Sequence, residues 1–349
     1  MSASNPVRLE SRGTDGDLTR EPWAVVLAGG DGTRLATLTA TAHGLPVPKQ
    51  FCSLTGRRSL LRLALDRATA LAPPARVVAV VAARHSSWWQ PELADLPREN
   101  VVVQPSNRGT ALGVLLPLLH IARRDPRAVV AILPSDHYVA EEPTFRSSLA
   151  AAVANAARHP GRVLLLGVTP ESPDPDYGWI VPGPTSPDGT ARVRQFREKP
   201  GASTAARLMQ RGALVSSFVL AATADALLAA FATRLPWLVD SFRRATSRGR
   251  GGASLLAPLY EGLPERDFSR HVLEPAPERL RVLPVPACGW SDLGTPERVA
   301  ACVRGRHEAV GPLGQEPRSN MAPVELAALL AAATSRPHPL GGQERRTDE

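Results

Sequence analysis

The sequence predicts an α/β fold, a mostly parallel β-sheet covered by helices on both faces. Three observations carry this. Short, wholly apolar runs recur at Trp23–Ala28, Val77–Val81, Val101–Val103, Val129–Leu133 and Val163–Val168, and a strand buried on both faces reads as such a run. Stretches with helical spacing separate them, and this alternation is the pattern of parallel strands joined by crossover helices. The first run ends in Gly29-Gly30-Asp31-Gly32, and sheets of this kind bind ligands beyond the carboxyl ends of their strands.

The remaining elements follow in order. Ser59 to Leu71 begins with a capping residue and continues with apolar residues at helical spacing, so it is expected to be an amphipathic helix ended by Pro73-Pro74. A helix with exposed aromatic side chains is expected around Ser86–Pro97. Another runs from Thr110 to about Arg123, with Pro117 bending it, and another spans Phe145–Ala157. The texture then changes. The turn-rich stretch after Pro170, followed by alternating residues up to Pro200, predicts a hairpin-like excursion beside the sheet, with Tyr177-Gly178-Trp179-Ile180 on one arm. Residues 223–247 read as helical and alanine-rich, and residues 279–285 alternate.

With 349 residues, 43% hydrophobic and 21% charged, the chain has room for one large domain or two modest ones. Residues 1–21 are expected to be a disordered polar arm, 22–305 the folded domain, and 306–349 a Gly/Pro/Arg-rich tail with a short helix over 323–334. No run approaches the ~20 apolar residues of a membrane helix, and the first residues lack the apolar core of a secretory signal. No membrane partner is expected. Three cysteines without C-x-x-C spacing suggest a reducing compartment, the cytoplasm, and no structural metal. The net charge of +8 is scattered arginine rather than a block. This argues against nucleic acid and suits a phosphorylated small substrate. A homo-oligomer is left open.

Candidate chemistry starts at the first loop. Glycines leave main-chain N–H groups uncovered for a phosphate; Arg34 offers a planar fork for phosphate oxygens, and Lys49 a second positive charge. The loop is neither a P-loop nor G-x-G-x-x-G, and taken alone it also reads as a plain tight turn. Gln104-Pro105-Ser106-Asn107-Arg108-Gly109-Thr110-Ala111 reads as a polar loop with Thr110 capping the next helix. Asp136, delivered by a buried strand, suits either Mg²⁺ or a turn-capping role. Its neighbour His137 is assigned no chemistry. Glu198-Lys199 reads as a solvated surface pair, and Asp292 as the cap of a helix from Pro296.

Taken together, G-G-D-G-T-R-L followed by P-K-Q-F, then Q-P-S-N-R-G-T-A, P-S-D-H, F-R-E-K-P and W-S-D-L-G, resemble the sugar-1-phosphate nucleotidyltransferases, most of all the mannose-1-phosphate guanylyltransferases. The resemblance covers about residues 23–305. It implies a Rossmann-like, glycosyltransferase-A-like sheet with a smaller sugar-side excursion. It also implies transfer of a guanylyl group from GTP to a hexose 1-phosphate, most of all mannose 1-phosphate, with Mg²⁺ as cofactor. It implies nucleotide contacts at Leu27, Ala28, Gly29, Gly30, Asp31, Gly32, Thr33, Gln104, Arg108, Gly109 and Thr110, with Gln104 at the purine edge. Sugar contacts are implied at Gly178, Glu198, Ser216 and Asp292. The catalytic charges would be Arg34, Lys49, Asp136 and Lys199, and the metal ligands Asp136 and Asp292. Two departures stand out: Val215-Ser216 where the family has Trp-Asn, and Ala36-Thr37 where it often has Trp-Pro. The first sustains a rival expectation, a weak or inactive homologue that binds nucleotide-sugar and regulates a partner.

Overall fold

In a computed structural model, the structure describes residues 21–32, 35, 39, 47–53, 58–247 and 253–309. The arm over 1–20, Thr33, Arg34, the Ala36-Thr37 departure, the end of the tail and its expected helix over 323–334 lie outside the described residues. The strands are β1 (Trp23–Ala28), β2 (Val77–Ala82), β3 (Val101–Gln104), β4 (Val129–Pro134), β5 (Val163–Val168), β6 (Gly178–Thr185), β7 (Ala191–Glu198), β8 (Leu214–Thr223) and β9 (Leu280–Pro284). The helices are α1 (Leu60–Leu71), α2 (Ser86–Glu92), α3 (Thr110–Arg124), α4 (Glu142–Arg158), α5 (Ala202–Gln210), α6 (Ala224–Arg234), α7 (Pro236–Ser247), α8 (Ala253–Gly262) and α9 (Pro296–Ala309).

All described strands join one sheet in the order β3-β2-β1-β4-β8-β5-β9-β7-β6, with a further β8–β6 pairing. The first half is parallel as expected, β1 pairing β2 and β4, and β2 pairing β3. The second half is not. β8 runs antiparallel between β4 and β5, and β6 and β7 add antiparallel pairs, so only β5–β9 is parallel there. The α/β class holds, but the sheet is mixed rather than mostly parallel. The hairpin does not lie beside the sheet; it forms one end of it.

Strand alternation explains the apolar runs. Val25, Val78, Val80, Val130 and Ile132 face the core under α3 and α6, with Leu112, Leu115 and Phe231. Ala24, Val26, Val77, Ala79 and Leu133 face the other core, with Leu61, Leu65, Phe145 and Leu149 of α1 and α4. Both strand faces are covered, so neither can be polar.

Several boundaries moved for identifiable reasons. Ser59 caps α1 through its hydroxyl, which accepts from the Arg62 N–H at 3.0 Å. The expected cap of α3 does not form, because Gly109 occupies that position and Thr110 is already helical. Pro117 lies inside α3. The helical stretch 223–247 splits into α6 and α7 around Leu235, since Pro236 lacks an N–H and disfavours the helical conformation of the residue before it. Trp89 is half-buried rather than exposed, its indole N–H donating to the Ala82 carbonyl at 2.9 Å. α9 runs past the expected domain end, to Ala309.

Candidate active site

A cleft of about 650 Å³ opens beyond the carboxyl ends of β1 and β4. Leu27, Gly29, Gly30 and Gly32 line its floor with Asp136. Gly32 has φ 63°, and a Cβ there would stand 2.8 Å from the Lys49 backbone nitrogen, so only glycine fits. Gln50 fastens the loop from below, donating to the carbonyls of Ala28 (3.1 Å) and Gly30 (2.8 Å). Asp31 turns sideways, paired with Arg84 after β2 and accepting from Asn107 at 3.4 Å. This carboxylate anchors the loop to its neighbours, which leaves the Gly29-Gly30 backbone as the surface presented to the cleft.

The loop after β3 supplies one wall. Gln104 is buried, lines the cleft and donates its amide N–H to the Tyr260 hydroxyl at 2.9 Å. Gly109 has φ 89°, and a Cβ there would collide with the Arg266 carbonyl oxygen. The Thr110 hydroxyl accepts from the Phe268 N–H at 2.8 Å, which is where its capping capacity goes. Arg108 departs from expectation. Its guanidinium donates to the carbonyls of Tyr260 (2.9 Å) and Glu261 (3.4 Å), and so is held against the end of α8.

The charged centre is built on Lys49. Its buried ammonium lies 2.9 Å from Asp136 Oδ2 and donates to the main-chain oxygens of Asp292 (2.5 Å) and Leu293 (3.4 Å). Three donors and three acceptors fill its capacity. In this geometry Lys49 ties the loop after β4 to the late loop 290–294 rather than presenting a free charge to phosphate. Burial works against ionisation of Asp136, but the Lys49 ammonium and His137 outweigh it and hold the carboxyl below its usual range. Burial pushes His137 down to about 4, so the ring is neutral at pH 7. The ring stands edge-on to Trp290 at 5.3 Å.

Asp292 is likewise held ionised: His137, Arg298 and Lys49 overcome its burial. Its Oδ1 accepts from the Tyr177 hydroxyl (3.1 Å), Arg298 (2.7 Å) and the Gly294 N–H (3.1 Å). It does not cap α9; the Thr295 hydroxyl does, accepting from the Arg298 N–H at 3.4 Å. Asp136 and Asp292 line one cleft, and among the described residues no cluster of three or more acidic, His or Cys side chains could hold a metal. Two carboxylates are still the donor set of Mg²⁺, which commonly takes one or two carboxylates together with substrate phosphates.

The opposite wall comes from the second half of the sheet. A Cβ on Gly178 would stand 2.6 Å from Glu198 Oε2, so glycine makes room for that carboxyl. Glu198 is no solvated surface residue. Its side chain is 9% exposed, and burial, with Asp267 nearby, pushes its pKa up to about 7 against the pull of Lys199 and Arg270. Lys199 has φ 46° and a half-exposed ammonium. Phe218 (φ 58°) and Leu293 (φ 50°) are the other non-glycine residues with positive φ among those described, and all three border the cleft or Asp292. Such strain persists where surrounding structure enforces it. Ser216 lines the cleft; Val215, on the other face of β8, packs against Trp179, Ala205 and Leu208. Only one residue of the Val215-Ser216 pair therefore faces the cleft.

Sequence reasoning missed the segment Glu265–His271, which closes the cleft through Arg266, Asp267, Arg270 and His271. It also missed Tyr177, Tyr260 and Arg298. Segment 269–273 forms a turn of π-helix, a form frequent at functional sites. No periodic pattern marks it.

A family profile described as nucleotidyl transferase matches residues 23–304. The chain is 28% identical to the Xanthomonas campestris xanthan biosynthesis protein XanB over 277 residues, 78% of this chain and 57% of that protein. It is 28% identical to the mannose-1-phosphate guanylyltransferase of Escherichia coli over 285 residues, 78% of this chain and 58% of the other. The chain thus spans somewhat over half the length of these curated relatives. A Thermus thermophilus structure titled mannose-1-phosphate geranyltransferase superposes with TM-score 0.68 at 28% identity, covering 79% of this chain and 77% of that one. A UDP-glucose pyrophosphorylase bound to UDP-glucose shares the fold alone, with TM-score 0.52 at 13% identity. Among the described residues no helix is long and apolar enough to cross a membrane. On the profile match, which covers most of its length, the chain belongs to the nucleotidyl transferase family.

Proposed function

We propose that the protein transfers a guanylyl group from GTP to a hexose 1-phosphate, mannose 1-phosphate first among them, giving a GDP-sugar and pyrophosphate in the cytoplasm. The observation that carries this reading is the ionised Asp136 standing in one cleft with the open Gly29-Gly30 backbone and Lys199. In the reaction an oxygen of the sugar phosphate attacks the α-phosphorus in line. The new O–P bond forms as the bond to the bridging oxygen breaks, and pyrophosphate leaves with that electron pair. No covalent nucleophile is required, so catalysis rests on positioning and charge.

Asp136 and Asp292 are the residues that would hold Mg²⁺, which supplies neutralisation of phosphate charge when bound. Lys49 keeps Asp136 ionised and joins it to the Asp292 loop. The Gly29-Gly30 N–H groups meet nucleotide phosphate, Gln104 the base, Glu198 and Ser216 the sugar hydroxyls, and Lys199 the sugar phosphate. Arg34 remains the proposed partner of the triphosphate. A regulatory homologue is the second reading, favoured by Ser216 in place of the family's Asn; retention of the charged set weighs against it. The deciding experiment sets four nucleoside triphosphates against several hexose 1-phosphates, with pyrophosphate release as readout. Turnover confined to GTP supports the proposal. No turnover with any pair, alongside tight GDP-sugar binding, overturns it in favour of the regulator.

A further inference from the structure

Arg298 lies beyond every motif in the sequence, on the first turn of α9. That turn is firmly seated: the Thr295 hydroxyl caps it, and Val299 is buried with Leu60, Tyr138 and Leu293. The guanidinium, only 14% exposed, reaches two carboxylates distant in the chain. One is Asp174, in the turn after β5; the other is Asp292, whose Oδ1 accepts at 2.7 Å. Its central carbon stands 4.2 Å from the centroid of the Tyr177 ring. Gly294 leaves the space for this approach, since a Cβ there would stand 2.8 Å from an Arg298 nitrogen and 2.6 Å from Asp292 Oδ2. Asp292 Oδ1 accepts from two further donors, the Tyr177 hydroxyl and the Gly294 N–H, each at 3.1 Å. A guanidinium and a main-chain N–H can only donate, and a phenol facing an ionised carboxylate has no other role, so none of the three bonds can be turned round. Together they fill Oδ1. No donor among the described residues takes Oδ2.

We infer that Arg298 is a positioning residue for Asp292: with Tyr177 and the Gly294 N–H it occupies Oδ1 and leaves Oδ2 as the one oxygen offered to a divalent cation. An untethered carboxylate turns freely and can offer either oxygen or both. Holding one oxygen on fixed donors selects both the rotamer and the one-oxygen mode. That mode suits Mg²⁺, which demands near-octahedral geometry and fills its other positions with water and substrate phosphate. Outer donors of this kind are typically worth about 10–100-fold in metal affinity. Lys49 treats Asp136 in the same manner, holding its Oδ2 at 2.9 Å. Arginine is needed at 298 because its planar fork meets Asp174 and Asp292 at once while its face lies on Tyr177. The inference deepens the Mg²⁺ part of the proposed function and rests on Asp292 meeting the metal.

The test titrates Mn²⁺ alone onto the full chain and reads the free ion by electron paramagnetic resonance, with melting temperatures recorded in metal-free buffer. Wild type is compared with Arg298→Met, Tyr177→Phe, Asp174→Asn and Asp292→Asn. The expected result is Mn²⁺ binding that Asp292→Asn abolishes, that Arg298→Met weakens at least about tenfold and that Tyr177→Phe weakens at least about threefold. Asp174→Asn breaks the other arm of the same guanidinium but leaves the donors on Asp292, so it lowers the melting temperature and keeps the affinity within about twofold. Affinity in Arg298→Met within about twofold of wild type overturns the inference. So does an equal loss in Asp174→Asn, which would make the effect one of packing. Should Arg298→Met not fold, Tyr177→Phe decides, and an unchanged affinity there overturns the inference. Failure of the metal reading looks different: wild type then binds no Mn²⁺, or binds it as well after Asp292→Asn, and both ideas fall together. Failure of the transfer reading is separate again, since Mn²⁺ binding lost in Arg298→Met without pyrophosphate release from any substrate pair leaves the positioning role standing and removes the reaction.

Discussion

Replacing Glu198 by Gln gives a sharp test of the electrostatics of the cleft wall built from the second half of the sheet. The carboxyl is buried beneath Gly178, with Asp267 and Glu274 raising its pKa and Lys199 and Arg270 lowering it, and the outcome is a rise from 4.5 to about 7. At 1.36 kcal/mol per pH unit, that rise corresponds to about 3 kcal/mol against ionisation in the folded state. The sign follows from linkage. Between the unfolded and folded pKa values the native state binds the extra proton, so stability falls as pH rises from about 4.5 through about 7 and stays low above it. Gln imitates the protonated acid and carries no such penalty. Taking ~2 cal/mol/K of unfolding entropy per residue over roughly 280 residues, 3 kcal/mol corresponds to about 5 °C. Glu198→Gln is therefore expected to melt about 5 °C above wild type at pH 8.5 and within about 1 °C of it at pH 5 when unliganded. Calorimetric or fluorescence melts of both proteins across that range supply the measurement. A variant less stable than wild type at pH 8.5, or a difference independent of pH, would refute the reasoning.

The other predictions are brief. Asp136→Asn is expected to cut turnover at least ~100-fold with the fold intact, since metal-mediated charge stabilisation is worth several kcal/mol; near wild-type rates at saturating Mg²⁺ would remove the assignment. Arg67, buried on α1, donates to both oxygens of Glu142 and to the His137 carbonyl. Arg67→Met should cost about 1–3 kcal/mol by denaturant midpoint, because it removes the bidentate donor of Glu142 and leaves that carboxylate only Arg146 at 3.7 Å, and a loss below about 0.5 kcal/mol would show that the pair is idle. Ser216→Asn should raise kcat/KM for mannose 1-phosphate by about 1–2 kcal/mol relative to other hexose 1-phosphates, the scale of one regained hydrogen bond; a shift toward another sugar would mean that the pocket was rebuilt for it. Val215→Trp, by contrast, should only destabilise, by about 1–3 kcal/mol on chemical denaturation, because Val215 packs against Trp179 away from the cleft.

Much of this protein was legible in the sequence alone. The runs that became β1, β2, β4 and β5 needed no tertiary information, because a strand covered on both faces has no polar alternation to hide it. Ser59 capped its helix where it stood, since capping is decided within one turn. The glycines at Gly29, Gly30 and Gly32 and the acids at Asp136 and Asp292 were found by spelling, and the cleft contains them all. What the tertiary structure decided are the matters settled by residues far apart in the chain. The direction of β8 depends on which strands it meets, so local pattern cannot distinguish a parallel from an antiparallel neighbour. Lys49 was read as a second positive charge beside the glycine loop, and only the fold shows its ammonium in contact with Asp136 and with the main chain of Asp292, up to 243 residues away. Arg108 turned to the end of α8 for the same reason. Glu198 looked like half of a solvated pair, whereas burial beside Asp267 raises its pKa to about 7. Tyr260 and the turn at 269–273 carry no motif because their roles come from contact rather than from type. Propensity and spelling act over a few residues and survive in the linear sequence; desolvation and hydrogen-bond saturation are properties of a neighbourhood, which exists only once the chain has folded.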